Sequence, residues 1–137
     1  MTVDFLVMAE TALLDVTGCV SIVRIGHTAQ VHQFPGQQVL TVVAQITGER
    51  TEVGGHLLNV RLLDAENVEF WEAANPFEIP EPKSGHLYAG FCALIKSVLT
   101  FPHAGAYRLE ARVDGVLQRT TRLMAIQLPQ EAGDATA

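Results

Sequence analysis

Hydrophobic and polar positions alternate along most of the chain with a period of two, the spacing of half-buried strands rather than of helices. The pattern is clearest where Tyr107, Leu109, Ala111 and Val113 alternate with Arg108, Glu110, Arg112 and Asp114. It ends in Asp114-Gly115, a dipeptide suited to a two-residue hairpin turn. A turn of that length places Glu110 opposite Arg119, a favourable cross-strand pair. The same register sets Gln118, Thr120 and Arg122 against the apolar face. The returning strand therefore either carries a bulge or is an edge whose inner face is only partly buried.

Further strands are predicted at residues 3–8 and 19–25, with Thr17-Gly18 as the turn between them. Residues 10–16 fit either a short helical turn or an edge strand. Over 38–47, Leu40, Val42, Ala44 and Ile46 share one face, and Phe34-Pro35-Gly36 leads in. A polar loop at 48–55 precedes a strand at 56–63, and the turn-prone run from Asp64 to Asn67 leads into a hairpin partner at 68–71. Pro76, Pro80 and Pro82 predict an extended surface connection over 75–85, since proline cannot sit in a central strand. Residues 86–100 read as one long strand, with Leu87, Ala89, Phe91, Ala93 and Ile95 on one face and Tyr88, Cys92 and Leu94 on the other.

Seven to nine strands with a long crossover predict an all-β fold, a single-domain antiparallel β-sandwich over residues 1–128. Residues 129–137 have nothing to bury and are expected to be a disordered C-terminal tail. The Gly105-Ala106-Tyr107 step resembles the tyrosine corner of immunoglobulin-like sandwiches, in which the phenol hydrogen-bonds to backbone. Position 109 is Leu where an antibody-type domain has Cys, and Trp71 lies too far from Cys19 to be the strand-C tryptophan. The expected architecture is immunoglobulin-like without the disulfide core.

Composition narrows the class. The 137 residues suit one core, and 48% hydrophobic with 18% charged residues excludes a disordered chain. No apolar run approaches the roughly 20 residues of a membrane-spanning helix. The N-terminal stretch lacks the basic start of a secretory signal, so a cytoplasmic setting is expected. Fifteen Asp and Glu outnumber nine Lys and Arg, a net charge of −6 that argues against nucleic acid and leaves no signal for a membrane partner. The charge is uneven. Residues 1–82 hold eleven acids and three arginines (net −8), and residues 83–137 hold four acids and six bases (net +2), an asymmetry able to orient a partner or a second copy. Cys19 and Cys92 sit in apolar surroundings and read as reduced core thiols.

Candidate chemistry is sparse. His27, His32, His56, His86 and His103 adjoin loops or strand ends; a rim that gathered two or three of them with Asp64 or Glu66 would make a metal site, but solvated single histidines explain the set and no metal or other cofactor is expected. Nucleophile-elbow, phosphate-loop and His-Glu-x-x-His patterns are missing, so the chain reads as non-enzymatic. The segment from Asp64 to Glu81 holds six acids and no base, interleaved with aromatics. Glu66, Glu69, Phe70, Trp71, Glu72 and Phe77 are therefore the predicted protein-contact residues, serving self-association or an accessory subunit. A small-ligand or carbohydrate binder that stacks its ligand on Trp71 is the alternative.

The opening Val3-Asp4-Phe5-Leu6-Val7-Met8-Ala9, the Phe34-Pro35 step, Phe101-Pro102-x-x-Gly105-x-Tyr107-Arg108 and Val113-Asp114-Gly115 together resemble a bacterial family of small β-sandwich proteins of unknown function. The resemblance spans most of the chain. It implies the fold and carries no activity, cofactor or catalytic residue.

Overall fold

The structure, a computed structural model, describes residues 1–16, 20–26 and 28–129. The expected turn at Thr17-Gly18, Cys19, His27 and the tail beyond Pro129 lie outside the described residues. The chain is all-β, in two sheets. Its strands are β1 (Thr2–Leu14), β2 (Val20–Gly26), β3 (Thr28–Val31), β4 (Gly36–Glu49), β5 (Gly54–Asp64), β6 (Glu69–Ile79), β7 (Tyr88–Phe101), β8 (Gly105–Val113) and β9 (Val116–Gln127), with one turn of 3-10 helix at Arg50–Glu52. One sheet runs β2-β1-β4-β7 and the other β3-β9-β8-β5-β6. No helix of the described residues is long and apolar enough to cross a membrane.

Alternation explains most of this layout. Tyr107, Leu109, Ala111 and Val113 are buried as the pattern requires, and they join Leu58, Val60 and Leu62 of β5 in a core shared with Val42, Ala44, Ile46, Leu99 and Phe101 of the other sheet. Each buried Leu, Ile or Phe contributes about 1.5–3 kcal/mol relative to exposure. On β7, Ala89, Phe91, Ala93 and Ile95 face this core, while Leu87 precedes the strand and is exposed. Cys92 is free and half-buried, and burial pushes its thiol pKa up.

Three expectations about these strands are corrected. Glu110 does not oppose Arg119: a register shift between Ala111 and Arg112 pairs Arg119 with Ala111 and Glu110 with Thr120. The two-residue turn at Asp114-Gly115 holds, so the bulge falls on the returning strand. Residues 75–79 are not connection but the end of β6, whose place at the sheet edge leaves the missing Pro76 N–H without consequence. The polar loop at 48–55 shrinks to the short 3-10 turn. Of the two readings left open for residues 10–16, the strand holds over 10–14, because β1 continues past its last pairing with β4 at Ala9 and from there pairs with β2 alone.

The short β3, which the sequence did not announce, pairs parallel with Met124–Gln127 of β9, so the sheets are not wholly antiparallel as expected: β3 is added to the β9 edge from outside the chain of hairpins. β2 thus lies at the edge of one sheet and β3 at the edge of the other. Gly36 is required beside β3, since a Cβ there would lie 2.7 Å from the Val31 Cβ. The peptide bond between Phe34 and Pro35 is cis.

Candidate functional site

Two features sit side by side where β8 and β9 face the start of β1. The first is a rim built from the turn after β5 and the loop before β8. Asp64, at the end of β5, is buried, and its Oδ1 accepts the backbone N–H groups of Glu66 (2.9 Å) and Val68 (3.0 Å). Asn67 takes positive φ to close that turn. The other oxygen, Oδ2, lies 3.2 Å from His103 Nε2. His103 stacks on Tyr107 with ring centroids 5.3 Å apart, and Phe70 meets both rings edge-on. The Tyr107 hydroxyl donates to the His103 carbonyl at 2.7 Å. That is the phenol-to-backbone bond foreseen for this position.

Both nitrogens of His103 face acceptors, Nδ1 toward the Ala104 carbonyl at 3.1 Å and Nε2 toward Asp64. An imidazole can donate to both only when doubly protonated. The Ala104 carbonyl, and after it the Asp64 carboxylate, raise the His103 pKa. Burial pushes Asp64 upward, yet the Val68 N–H, His103 and the Glu66 N–H outweigh it and hold the carboxyl below its ordinary value. Donor atoms of Asp64, Glu66 and His103 all lie within 4.8 Å of one another. The spacing suits a cation, and it is equally that of a histidine bonded to the Asp64 carboxylate with Glu66 nearby.

The other described histidines do not gather here. His56 sits at the opposite end of β8, with Nδ1 2.6 Å from Asp114 and Nε2 2.6 Å from the Glu52 carbonyl. Its pKa is raised, first by Asp114, and that of Asp114 is lowered, first by His56. The backbone of His86 binds Lys83 and Arg50, and the His32 carbonyl accepts from Gln127.

The second feature is a groove of about 1040 Å³ between β1 and the β8–β9 pair, walled by Phe5, Val7, Leu123 and Met124 and lined by Arg108, Arg119 and Arg122. Strand pairing explains it. β2 pairs with β1 only from Met8 onward, and β3 with β9 only from Met124 onward. The facing edges of β1 and β9 below those points are linked by side chains: Thr121 Oγ1 donates to the Leu6 carbonyl at 2.6 Å and Arg119 to the Val3 carbonyl at 3.4 Å. On the outer face of the same sheet, buried Glu110 accepts from Arg61 Nε (2.9 Å) and Arg108 Nε (3.0 Å), with Arg112 3.6 Å away. Burial acts first to raise its pKa, but the arginines prevail and lower it.

The predicted contact residues do not form one surface. Phe77 is buried between Phe91 and His56. Phe70 and Trp71 are half-buried against the core, and Trp71 Nε1 donates to Ser97 Oγ at 2.9 Å, joining β6 to β7. Glu66, Glu69 and Glu72 remain exposed. A bulge between Leu62 and Leu63 leaves Phe70 without a partner on β5, so two consecutive aromatics both turn inward. The groove and the arginines around it were not foreseen; the run of bases in residues 108–122 was the signal available for them.

Strand order, core and rim define an all-β protein of two sheets with an open edge between them. The chain belongs to the family of unknown function DUF6941, whose model matches residues 4–126. No curated protein matches the chain. Among solved structures it is similar to the Pseudomonas fluorescens alkylpurine DNA glycosylase AlkC bound to DNA containing an abasic site analog, at 8% identity and a TM-score of 0.43, over 72% of this chain and 27% of that one. The chain thus spans about a quarter of that protein's length, and a likeness of this size carries no argument about function.

Proposed function

We propose that this chain is a non-enzymatic protein-interaction module, acting as a homo-oligomer or as an accessory subunit, on an immunoglobulin-like β-sandwich in the cytoplasm. The β9-β8-β5 order and the Tyr107 hydroxyl bond near the start of β8 support the architecture. The free thiol of Cys92 is in keeping with a reducing compartment.

The observation that carries the reading is the β1–β2 arm. Among the described residues, β1 beyond Ala9 and β2 pair only with each other; the two strands display Leu13 (65% exposed), Leu14 and Ile25 (54% exposed), and Val16 follows β1, exposed as well. A two-stranded ribbon gains little stability alone, and large apolar side chains exposed along one offer contacts to another protein. The contact surface therefore moves from the acidic aromatic segment, whose aromatics face inward, to this arm.

The test combines sedimentation equilibrium with photo-crosslinking from a reactive group placed at position 13 in the native cell. A concentration-dependent oligomer, or a discrete adduct with one other chain, supports the reading. Strict monomer behaviour without any adduct overturns it. The small-ligand alternative keeps the groove in its favour but not a stacking platform, because Trp71 packs on the core; a glycan or metabolite that shifts tryptophan fluorescence saturably would revive it.

A further inference from the structure

We propose that the groove between β1 and β9 binds an extended, acidic segment of a partner polypeptide, laid along the open edge of β9. This rests on the reading of the chain as a protein-binding module, but on a surface separate from the arm. Three observations converge on it.

The first is the edge itself. β3 covers β9 only over Met124–Gln127, so the stretch from Arg119 to Leu123 has β8 on one side and no strand described on the other. Backbone groups on such an edge are the template for an added strand. The Leu6 and Val3 carbonyls across the gap already take side-chain donors in place of backbone ones.

The second is charge. Arg108 and Arg122 are directly opposed on the β8–β9 ladder, where like charges destabilise unless an anion lies between or beside them. Arg108 is held by Glu110 and Asn67, whereas exposed Arg122 makes no hydrogen bond or ion pair with any described residue. The single acid lining the groove, Asp64, is already engaged by His103. A chain of net charge −6 thus presents a positive groove.

The third is shape. Half-buried Phe5 and Val7 offer an apolar wall beside the arginines, and the volume reaches the top of the roughly 300–1000 Å³ range of ligand clefts. An extended peptide turns successive side chains to opposite sides, so the fitting sequence alternates acidic and apolar residues.

The probe is a dye-labelled (Glu-Val)4 peptide, followed by fluorescence anisotropy at low salt, with (Lys-Val)4 and a single-stranded oligo-dT as companions. The expected result is saturable binding of (Glu-Val)4 alone, weakening as salt screens the charges. Arg122→Glu should reduce affinity by about tenfold or more and Arg122→Lys should retain most of it, since the charge is kept. A Leu13→Asp, Leu14→Asp double variant should bind the peptide as the parent does. Failure to saturate below about 1 mM, equal binding of (Lys-Val)4, preference for oligo-dT, or an unchanged Arg122→Glu variant would each overturn the proposal. Oligomer formation lost in the arm variant while the peptide fails to bind the parent would overturn the groove alone and leave the contact function standing.

Discussion

Glu110→Gln separates stability from binding in a single substitution. Glu110 is buried on the outer face of the β5-β8-β9 sheet and receives charge-assisted bonds from Arg61 and Arg108, with Arg112 nearby. Such a bond contributes about 1.5–3 kcal/mol when well shielded. The arginines are about one-third exposed, which lowers that range, and glutamine keeps one acceptor oxygen while turning an NH₂ toward guanidinium donors. The expected net loss is about 2 kcal/mol, a fall in Tm of roughly 8 °C for a domain of this length. Thermal unfolding by circular dichroism at neutral pH reads it directly. The sign of the pH dependence follows from the lowered pKa: the Glu110 contribution is fully present above the unfolded carboxyl value and is lost as pH falls through the lower folded value, so parent and variant converge in acid. Because the variant removes a negative charge beside Arg108, affinity for (Glu-Val)4 should rise while stability falls. An unchanged Tm at neutral pH, or a difference that widens in acid, would refute the assignment of Glu110 as the anion on which this face depends.

Gly36→Ala should cost about 1–3 kcal/mol in urea denaturation, because the added Cβ meets Val31 and the strand cannot yield without shifting β3. Tyr107→Phe should cost about 1 kcal/mol by the same measurement through loss of the bond to the His103 carbonyl, with the core otherwise intact. The His56–Asp114 pair should stabilise the fold most between acid and neutral pH. Its His56 part is full below about 6.5 and is lost as pH rises through the raised folded value, and its Asp114 part is full above about 4 and is lost as pH falls through the lowered one. A His56→Gln variant followed by thermal melts across pH should lose both limbs of that dependence.

How much of this was legible varied with how local the cause was. β8 and its turn could be read because alternation and Asp114-Gly115 are local signals, and Tyr107 carried its own hydrogen-bonding logic. β3 could not, since Thr28–Val31 is four residues long and exists because β9 offers an edge to it. The packing of the aromatic segment was hidden for a related reason. Glu69, Phe70, Trp71 and Glu72 read as an exposed mixture when period two is applied, but the bulge opposite Leu62 and Leu63 breaks the period and sends both rings inward. The pairing of Glu110 failed by the same device on β9, where one extra residue replaced Arg119 by Thr120. His103 meets Asp64 only because β5 and β8, neighbours in the sheet but not in sequence, pair antiparallel and bring the turn after β5 and the β7–β8 loop to one rim, a consequence of topology rather than of spacing.

The proposed arm and groove share one structural premise: among the described residues, β1 and β9 each leave part of an edge without a strand partner, and the proposal is that other chains attach there. Residue-resolved amide hydrogen exchange on the isolated protein tests it most directly. Between Leu117 and Leu123, amides bonded to β8 should be protected and the alternate ones facing β1 should exchange rapidly, then slow when (Glu-Val)4 is added. Uniform protection along β9 in the free protein would show that edge already paired, and would contradict the account.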